Sequence, residues 1–300
     1  MTAKNTTPIV LTIAGSDSGG GAGIQADIKT ISATGGYACS VITALTSQNT
    51  QGVTGIFPIP AEFVEQQLDA VFSDLNVQSV KIGMLSDTEV IQAVCHKLTQ
   101  YKPKLIVLDP VMVATSGDLL LEESAISTLK AYLLPLAELI TPNLPEAAAL
   151  TGEPVPQTES AMNALIEKLR ALDTAAILLK GGHLEKENHS TDLLITPNDV
   201  VAFSSKRLQT KNTHGTGCTL SSAIASYLAQ GHELEEAVRL AKRYITLAIS
   251  HADELQIGHG HGPVHHFFQG HQAVSGSAPL SENKISAAPS VVSKPCGTRK

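Results

Sequence analysis

The sequence predicts an α/β protein with a mainly parallel sheet covered by helices on both faces. Short apolar runs, rich in β-formers and bounded by Gly, Pro or Asp, recur along the chain. Stretches with helical spacing separate most of them, and parallel strands need such crossovers to return the chain to the same end of the sheet. Composition agrees: 43% hydrophobic against 16% charged over 300 residues is enough apolar material for a core on two faces.

In order, the strands are PIVLTIA (8–14), CSVITALT (39–46), VQSVKIGM (77–84), KLIVLD (104–109), AELIT (137–141) and AAILLK (175–180). Helical spacing fills 24–34, 61–72, 88–101, 122–134 and 161–172 between them. DLLIT (192–196) and VVAFSSKRL (200–208) follow each other without a helix, so Pro197-Asn198-Asp199 reads as the turn of an antiparallel hairpin at a sheet edge. Two helices, 216–230 and 233–254, complete the pattern. From Gln269 onward Ser, Ala, Pro, Gly and Lys dominate without periodicity, and such a segment buries too little apolar surface to order itself. The expected organisation is one domain over 1–268 and a disordered tail over 269–300, too short and polar for a second enzyme domain.

Lys and Arg total 21 against 28 Asp and Glu, a net charge of −7. No broad basic field exists to hold nucleic acid or an anionic membrane, so any phosphate must be gripped locally. The apolar stretch near the N-terminus is too short for a signal peptide or a span, and the expected location is cytoplasmic. Cys39, Cys95, Cys218 and Cys296 show no paired spacing and read as reduced thiols, the first two in the core. The histidines of GHGHGPVHHFFQGH (258–271) lack the framework of a metal site and read as a capping segment or loop.

Ligands of a parallel sheet bind beyond the carboxyl ends of its strands. GSDSGGGAG (15–23) follows the first strand and exposes backbone N–H groups at a helix start, with Asp27 in the opening turns. It lacks the G-K-[ST] of a Walker loop. KNTHGTGC (211–218) leads into a second helix, where Gly215 and Gly217 leave N–H groups bare to form an anion hole for a transferring phosphoryl group. Cys218 falls in the first turn, where a lowered thiol pKa is expected. Asp109 and Glu146 follow strand-like runs, as a Mg2+ ion bridged by nucleotide phosphates would require; a helix cap or surface charge is the alternative. Asn143 adds a neutral contact, and Lys180 with Gly181 and Gly182 offers a cation beside bare backbone.

AGSDSGGGAGIQADIKT (14–30), CSVITALTSQNT (39–50), KIGML (81–85), LDPVM (108–112), LITPNLPEAAAL (139–150), LLKGGH (178–183), NTHGTGCTLS (212–221) and GHGHGPVHH (258–266) together resemble the hydroxymethylpyrimidine and phosphomethylpyrimidine kinases of thiamine biosynthesis, in the ribokinase-like superfamily. The likeness runs from residue 8 to 268. It implies a three-layer α/β/α sandwich with eight or nine mainly parallel strands, and γ-phosphoryl transfer from ATP to the hydroxymethyl oxygen of an aminopyrimidine, then to the resulting monophosphate. It further implies a pyrimidine pocket of Gly15, Asp27, Gln48, Met84 and Val111. Asn143, Lys180, Gly182, Thr210, Lys211 and Thr216 would serve the nucleotide, Asp109 and Glu146 the Mg2+, and Gly215, Gly217 and Cys218 the transfer, with Cys218 as base. Many sugar kinases of the superfamily place Asp where this chain has Cys218, a departure shared with many pyridoxal kinases. Pyridoxal kinase is therefore the nearest rival, alone or as a second activity; a Rossmann-type oxidoreductase leaves GTGC and TPN-x-x-E unexplained. The resemblance also implies a homodimer.

Overall fold

The structure, a computed structural model, describes residues 7–112, 122–184 and 188–270. Its elements run β1 (Ile9–Asp17), α1 (Gly23–Ala33), β2 (Tyr37–Asn49), β3 (Gly52–Pro58), α2 (Ala61–Phe72), β4 (Ser79–Ile82), α3 (Thr88–Tyr101) and β5 (Ile106–Leu108). There follow α4 (Glu123–Thr128), β6 (Leu139–Ile140), α5 (Leu144–Thr151), α6 (Glu159–Ala164), α7 (Ile166–Arg170), β7 (Ile177–Leu179), β8 (His189–Ile195), β9 (Val200–Lys206), α8 (Thr216–Ala229) and α9 (Leu234–Ser250).

Among the described residues nine strands form one sheet in the order β3-β2-β1-β4-β5-β6-β7-β8-β9. The pairings from β2 through β1, β4, β5 and β6 to β7 are parallel, and β3, β8 and β9 add antiparallel edges. Successive strand residues enter different layers, as the pleat requires. Leu11 and Ile13 of β1, Ile82 and Leu108 pack with α2, α3 and α5 on one face. Val10, Val107, Leu139 and Leu178 pack with α1, α8 and α9 on the other. This is the three-layer α/β/α sandwich of the ribokinase-like kinases. The described residues up to Phe268 gather as one compact unit; the expected tail lies outside the described residues beyond Gly270, as does Cys296. No helix among the described residues is long and apolar enough to cross a membrane.

The hairpin β8–β9 stands at the expected edge. The opposite edge strand, β3, escapes the sequence reading: Gly52 and Gly55 interrupt it and none of its residues is buried, so it carries no apolar alternation. Helix α5 escapes as well because it opens inside the TPN-x-x-E motif, with Pro145 in its first turn and the side chains of Asn143 and Glu146 closing a capping box. The expected helix 122–134 continues from α4 into a π turn at Leu129–Leu133 and a short 3-10 turn holding Pro135, which cannot donate to an α ladder. The stretch 161–172 divides into α6 and α7.

Candidate active site

At the carboxyl edge of the central strands two buried ion pairs lie beneath the start of α8. Lys81, the third residue of β4, is fully buried and its Nζ bonds both oxygens of Asp27 at 2.9 and 2.8 Å. Asp27 also accepts from Thr12 at 2.6 Å and Ser222 at 2.7 Å. Burial alone would lower the Lys81 pKa, but the Asp27 carboxylate overrides it and raises it. This corrects one expectation: with no exposed surface and its oxygens given to Thr12, Lys81 and Ser222, Asp27 ties β1, β4 and α8 together and presents no open carboxylate surface to a ligand. Lys81, the buried partner of Asp27, is a charge that the sequence analysis did not single out, in a strand that otherwise reads as core.

The second pair joins Asp109, just past β5, to Lys180, just past β7, at 2.8 Å. Asp109 also accepts from Thr141, past β6, at 3.0 Å, with Ser221 of α8 at 3.5 Å. Gly217 explains how this pair reaches the anion hole. A Cβ there would lie 3.3 Å from Asp109 Oδ2 and 3.4 Å from Lys180 Nζ, so any side chain would cover the ammonium. Gly215 adopts φ +82 at the N-cap of α8, and a Cβ on it would fall 1.9 Å from the Gly21 carbonyl. The bare turn therefore packs directly on the glycine-rich loop after β1, and α8 aims its first N–H groups beside Lys180.

Glu146 lies close by and is nearly fully buried. It accepts from its own cap residue, Asn143 N–H, at 2.7 Å, and from the Met112 N–H. Burial pushes its pKa from 4.5 to about 7; Lys180 opposes that and the Asp109 charge adds to it. The cap reading of this acid holds, since it closes the capping box of α5, and the same carboxyl lies beside the charges of Lys180 and Asp109. No group of three acids, histidines or cysteines among the described residues forms a cage for a metal ion. Asp109 already gives its oxygens to Lys180, Thr141 and Ser221, which leaves contact with a metal ion through water, the form in which the ion was expected. The oxygen chemistry of the pair suits Mg2+ held largely by phosphate and water, the habit of that ion.

Cys218, half-buried in the first turn of α8, departs from expectation. Burial pushes its thiol up to about 11; Asp27 and Asp109 add to the rise, while Lys81 and the Gly23 N–H oppose it. The helix N-terminus was expected to lower it, but desolvation and two nearby carboxylates outweigh that field.

On the far side of the turn, Asp17 ends β1 and organises the glycine-rich loop. It accepts from the N–H groups of Gly19, Gly21 and Ala22 at 2.8, 3.0 and 2.8 Å and from His214 Nε2 at 2.9 Å. Burial would raise the Asp17 pKa, but His214 and these N–H groups hold it at about 2. His214 Nε2 must donate to that carboxylate, so it cannot accept from the Gln48 amide 3.5 Å away. Gln48 Oε1 meanwhile accepts from Thr46 at 3.1 Å. The Gln48 N–H2 and a second oxygen lone pair are thus available to a ligand. Half-buried Met84 packs its methyl against Gly15, where an added Cβ would come within 3.1 Å, and Val111 is half-buried at the edge of the undescribed stretch 113–121. Asp17 and His214 stood within the quoted motifs, but only the fold shows that they meet.

The remaining candidates lie around this centre. Thr216 donates to the Thr213 carbonyl at 2.7 Å and shapes the turn. Thr210 is bonded to Asp253, and exposed Lys211 gives its carbonyl to His261; both belong to the approach to α8. Gly182 is exposed and its carbonyl accepts from Arg207 at 2.7 Å.

A family model described as phosphomethylpyrimidine kinase matches residues 17–265. The hydroxymethylpyrimidine/phosphomethylpyrimidine kinase of Rhizobium meliloti is 54% identical over 87% of this chain and 97% of its own length. The thiamine biosynthesis bifunctional protein ThiED of Geobacter sulfurreducens is 55% identical over 86% of this chain, which spans 52% of that larger protein. Among solved structures, an ADP complex of Bacillus subtilis pyridoxal kinase is 34% identical, covers 87% of this chain and 98% of its own, and superimposes with a TM-score of 0.81.

Proposed function

The chain belongs to the phosphomethylpyrimidine kinase family, and on that premise we propose that it phosphorylates 4-amino-5-hydroxymethyl-2-methylpyrimidine with ATP, first to the monophosphate and then to the diphosphate, for thiamine diphosphate biosynthesis. The observation that carries this reading is the Lys180 ammonium set beside Gly217 at the N-terminus of α8, together with the Gln48 amide, whose N–H2 has no acceptor in His214. The first feature suits a transferring phosphoryl group and the second an aminopyrimidine edge.

In the proposed reaction the Gln48 N–H donates to a ring nitrogen and its oxygen accepts from the exocyclic amine. Met84 and Val111 supply apolar contact to the ring, and Gly15 leaves it room. Lys180 and the N–H groups after Gly215 hold the charge that spreads over the phosphoryl oxygens in transit. Asn143, Glu146, Gly182, Thr210, Lys211 and Thr216 form the nucleotide side. Glu146 and Asp109 would hold Mg2+ beside the nucleotide, largely through water, and the ion would supply neutralisation of phosphate charge. Cys218 accepts the hydroxyl proton. It can do so only as the thiolate, a minor form near neutral pH because burial holds the thiol near 11, and it takes the proton late, once the hydroxyl oxygen is already bonding to phosphorus, as a loose transition state allows.

The chain works in the cytoplasm as a homodimer. Exposed Leu45, Val53, Ile56 and Phe57 on β2 and β3, with Phe63 on α2, put apolar surface at the open sheet edge where a second copy would pack.

A product assay by mass spectrometry, with ATP, Mg2+ and either the hydroxymethylpyrimidine or pyridoxal, tests the reading. Pyrimidine mono- and diphosphate are expected; phosphate on pyridoxal alone would transfer the assignment to pyridoxal kinase. Two variants test the roles. Gln48→Leu is expected to weaken pyrimidine binding by about 1–3 kcal/mol, the cost of an unmet buried polar group, and calorimetry showing unchanged affinity would remove Gln48 from the recognition edge. Cys218→Ala is expected to lower kcat by roughly 10²–10⁴, the range for general-base loss, with pyrimidine affinity kept. The thiolate fraction grows as pH rises toward 11, so kcat of the native enzyme should climb between pH 7 and 9 and that of the variant should not.

A further inference from the structure

We infer that the glycine and histidine segment Gly258–His266 is a positioning strap that sets the Gln48 and His214 side chains against each other, and so governs recognition of the aromatic substrate without touching it. The inference rests on the proposed pyrimidine site.

Within a few residues the strap bonds both walls of the pocket. His261 N–H donates to the Thr50 carbonyl at 2.8 Å and Gly260 N–H to Thr50 Oγ1 at 3.1 Å, two residues beyond Gln48. The Gly262 carbonyl accepts from His214 N–H at 3.1 Å, and the Val264 N–H donates to the His214 carbonyl at 3.3 Å. His214 is thus held on both sides of its backbone, as in a short parallel bridge with Pro263. Gly262 N–H reaches Asn212 Oδ1 at 3.1 Å.

The glycines explain the closeness of this fit. A Cβ at Gly260 would lie 1.9 Å from the Thr50 carbonyl, and at Gly262 2.3 Å from Asn212 Oδ1. Gly21, in the loop that Asp17 organises, would bring a Cβ within 2.5 Å of the His214 ring and 3.2 Å of Pro263. Four segments therefore meet at one place with no side-chain volume to spare. The strap is anchored below: Val264 is buried among α8 and α9, His266 Nε2 lies 3.0 Å from Thr219 Oγ1, and Tyr244 donates to the His266 carbonyl at 2.7 Å. The anchor at Thr219 follows Cys218 directly, so strap and catalytic turn share one rigid support.

Gly260→Ala and Gly262→Ala test this in the full chain, each with and without Asn212→Ala. Neither glycine has a positive φ, so alanine acts through contact and not through backbone strain. Both single variants are expected to raise the pyrimidine KM about tenfold or more, as small misplacements of positioning groups do, with the ATP KM unchanged. Asn212→Ala removes the atoms that a Gly262 Cβ meets and should restore the pyrimidine KM of Gly262→Ala. It should not restore that of Gly260→Ala, whose clash is with backbone. If Gly260→Ala fails to fold, the Gly262 pair alone decides. A Gly262→Ala enzyme with native pyrimidine KM, or one whose ATP and pyrimidine KM rise together and do not recover, would overturn the strap's role. Native enzyme that phosphorylates pyridoxal alone would instead overturn the substrate reading, and the strap is then judged on the pyridoxal KM.

Discussion

Lys180→Met is expected to lower kcat by roughly 10²–10³, the loss seen when one donor to a developing oxyanion is removed, while pyrimidine affinity holds. The ammonium lies where a Gly217 side chain would touch it, and the proposed pyrimidine contacts of Gln48 and Met84 lie elsewhere in the pocket. Rapid-quench measurement of the transfer step, with binding followed separately, reads the difference. The same substitution leaves Asp109 almost fully buried without its cation, which should cost about 3–5 kcal/mol of folding stability. Lys180→Met with Asp109→Asn removes the stranded charge, so it should recover much of the stability and none of the activity. Native kcat in Lys180→Met would show that the phosphoryl charge is held by the α8 backbone alone.

Glu146→Gln is expected to stabilise the protein and weaken the enzyme together. In the folded state the Glu146 pKa stands near 7, above its usual 4.5, so the native protein keeps a proton that the unfolded chain has released. Stability from this group is therefore full below about 4.5 and is lost as pH rises toward 7. A shift of that size corresponds to at most about 3 kcal/mol at 1.36 kcal/mol per unit. Glutamine keeps an oxygen for the Asn143 and Met112 N–H groups and carries no charge to desolvate. Thermal melts should show the variant more stable than the native enzyme at pH 8 and nearly equal to it at pH 5. Activity should move the other way: at pH 8 the variant loses the carboxylate facing phosphate and Mg2+, and below pH 7 the native enzyme should fall toward it. A variant less stable at pH 8 would mean that the carboxylate is well compensated in the folded protein.

Elements whose signal is local were legible. Strands buried on both faces read as continuous apolar runs, and α2 and α3 match their expected ranges because their helical spacing is unbroken. The places of Lys180, just past β7, and of Gly215 and Gly217, at the opening of α8, were legible for a similar reason, since strand ends and helix starts are marked by short runs of neighbouring residues. Strand β3 was not, because an exposed edge pairs through its backbone and leaves no trace in apolar pattern. Asp27 was misread because its place in a helix's opening turns says nothing about Lys81, which lies 54 residues away in sequence and meets it across the layer.

The layers, the strand-to-helix alternation and the family motifs are written in the chain's local pattern, since each depends on periodicity or on short runs of neighbouring residues. Tertiary structure alone decided which charges pair. It set Asp27 on Lys81, Asp109 on Lys180 and His214 on Asp17, and it laid the strap across Thr50 and His214. It also reversed the direction expected for Cys218. A thiol's proton affinity sums burial and every charge within reach, and those charges come from β4, β5 and α1 as well as from its own helix.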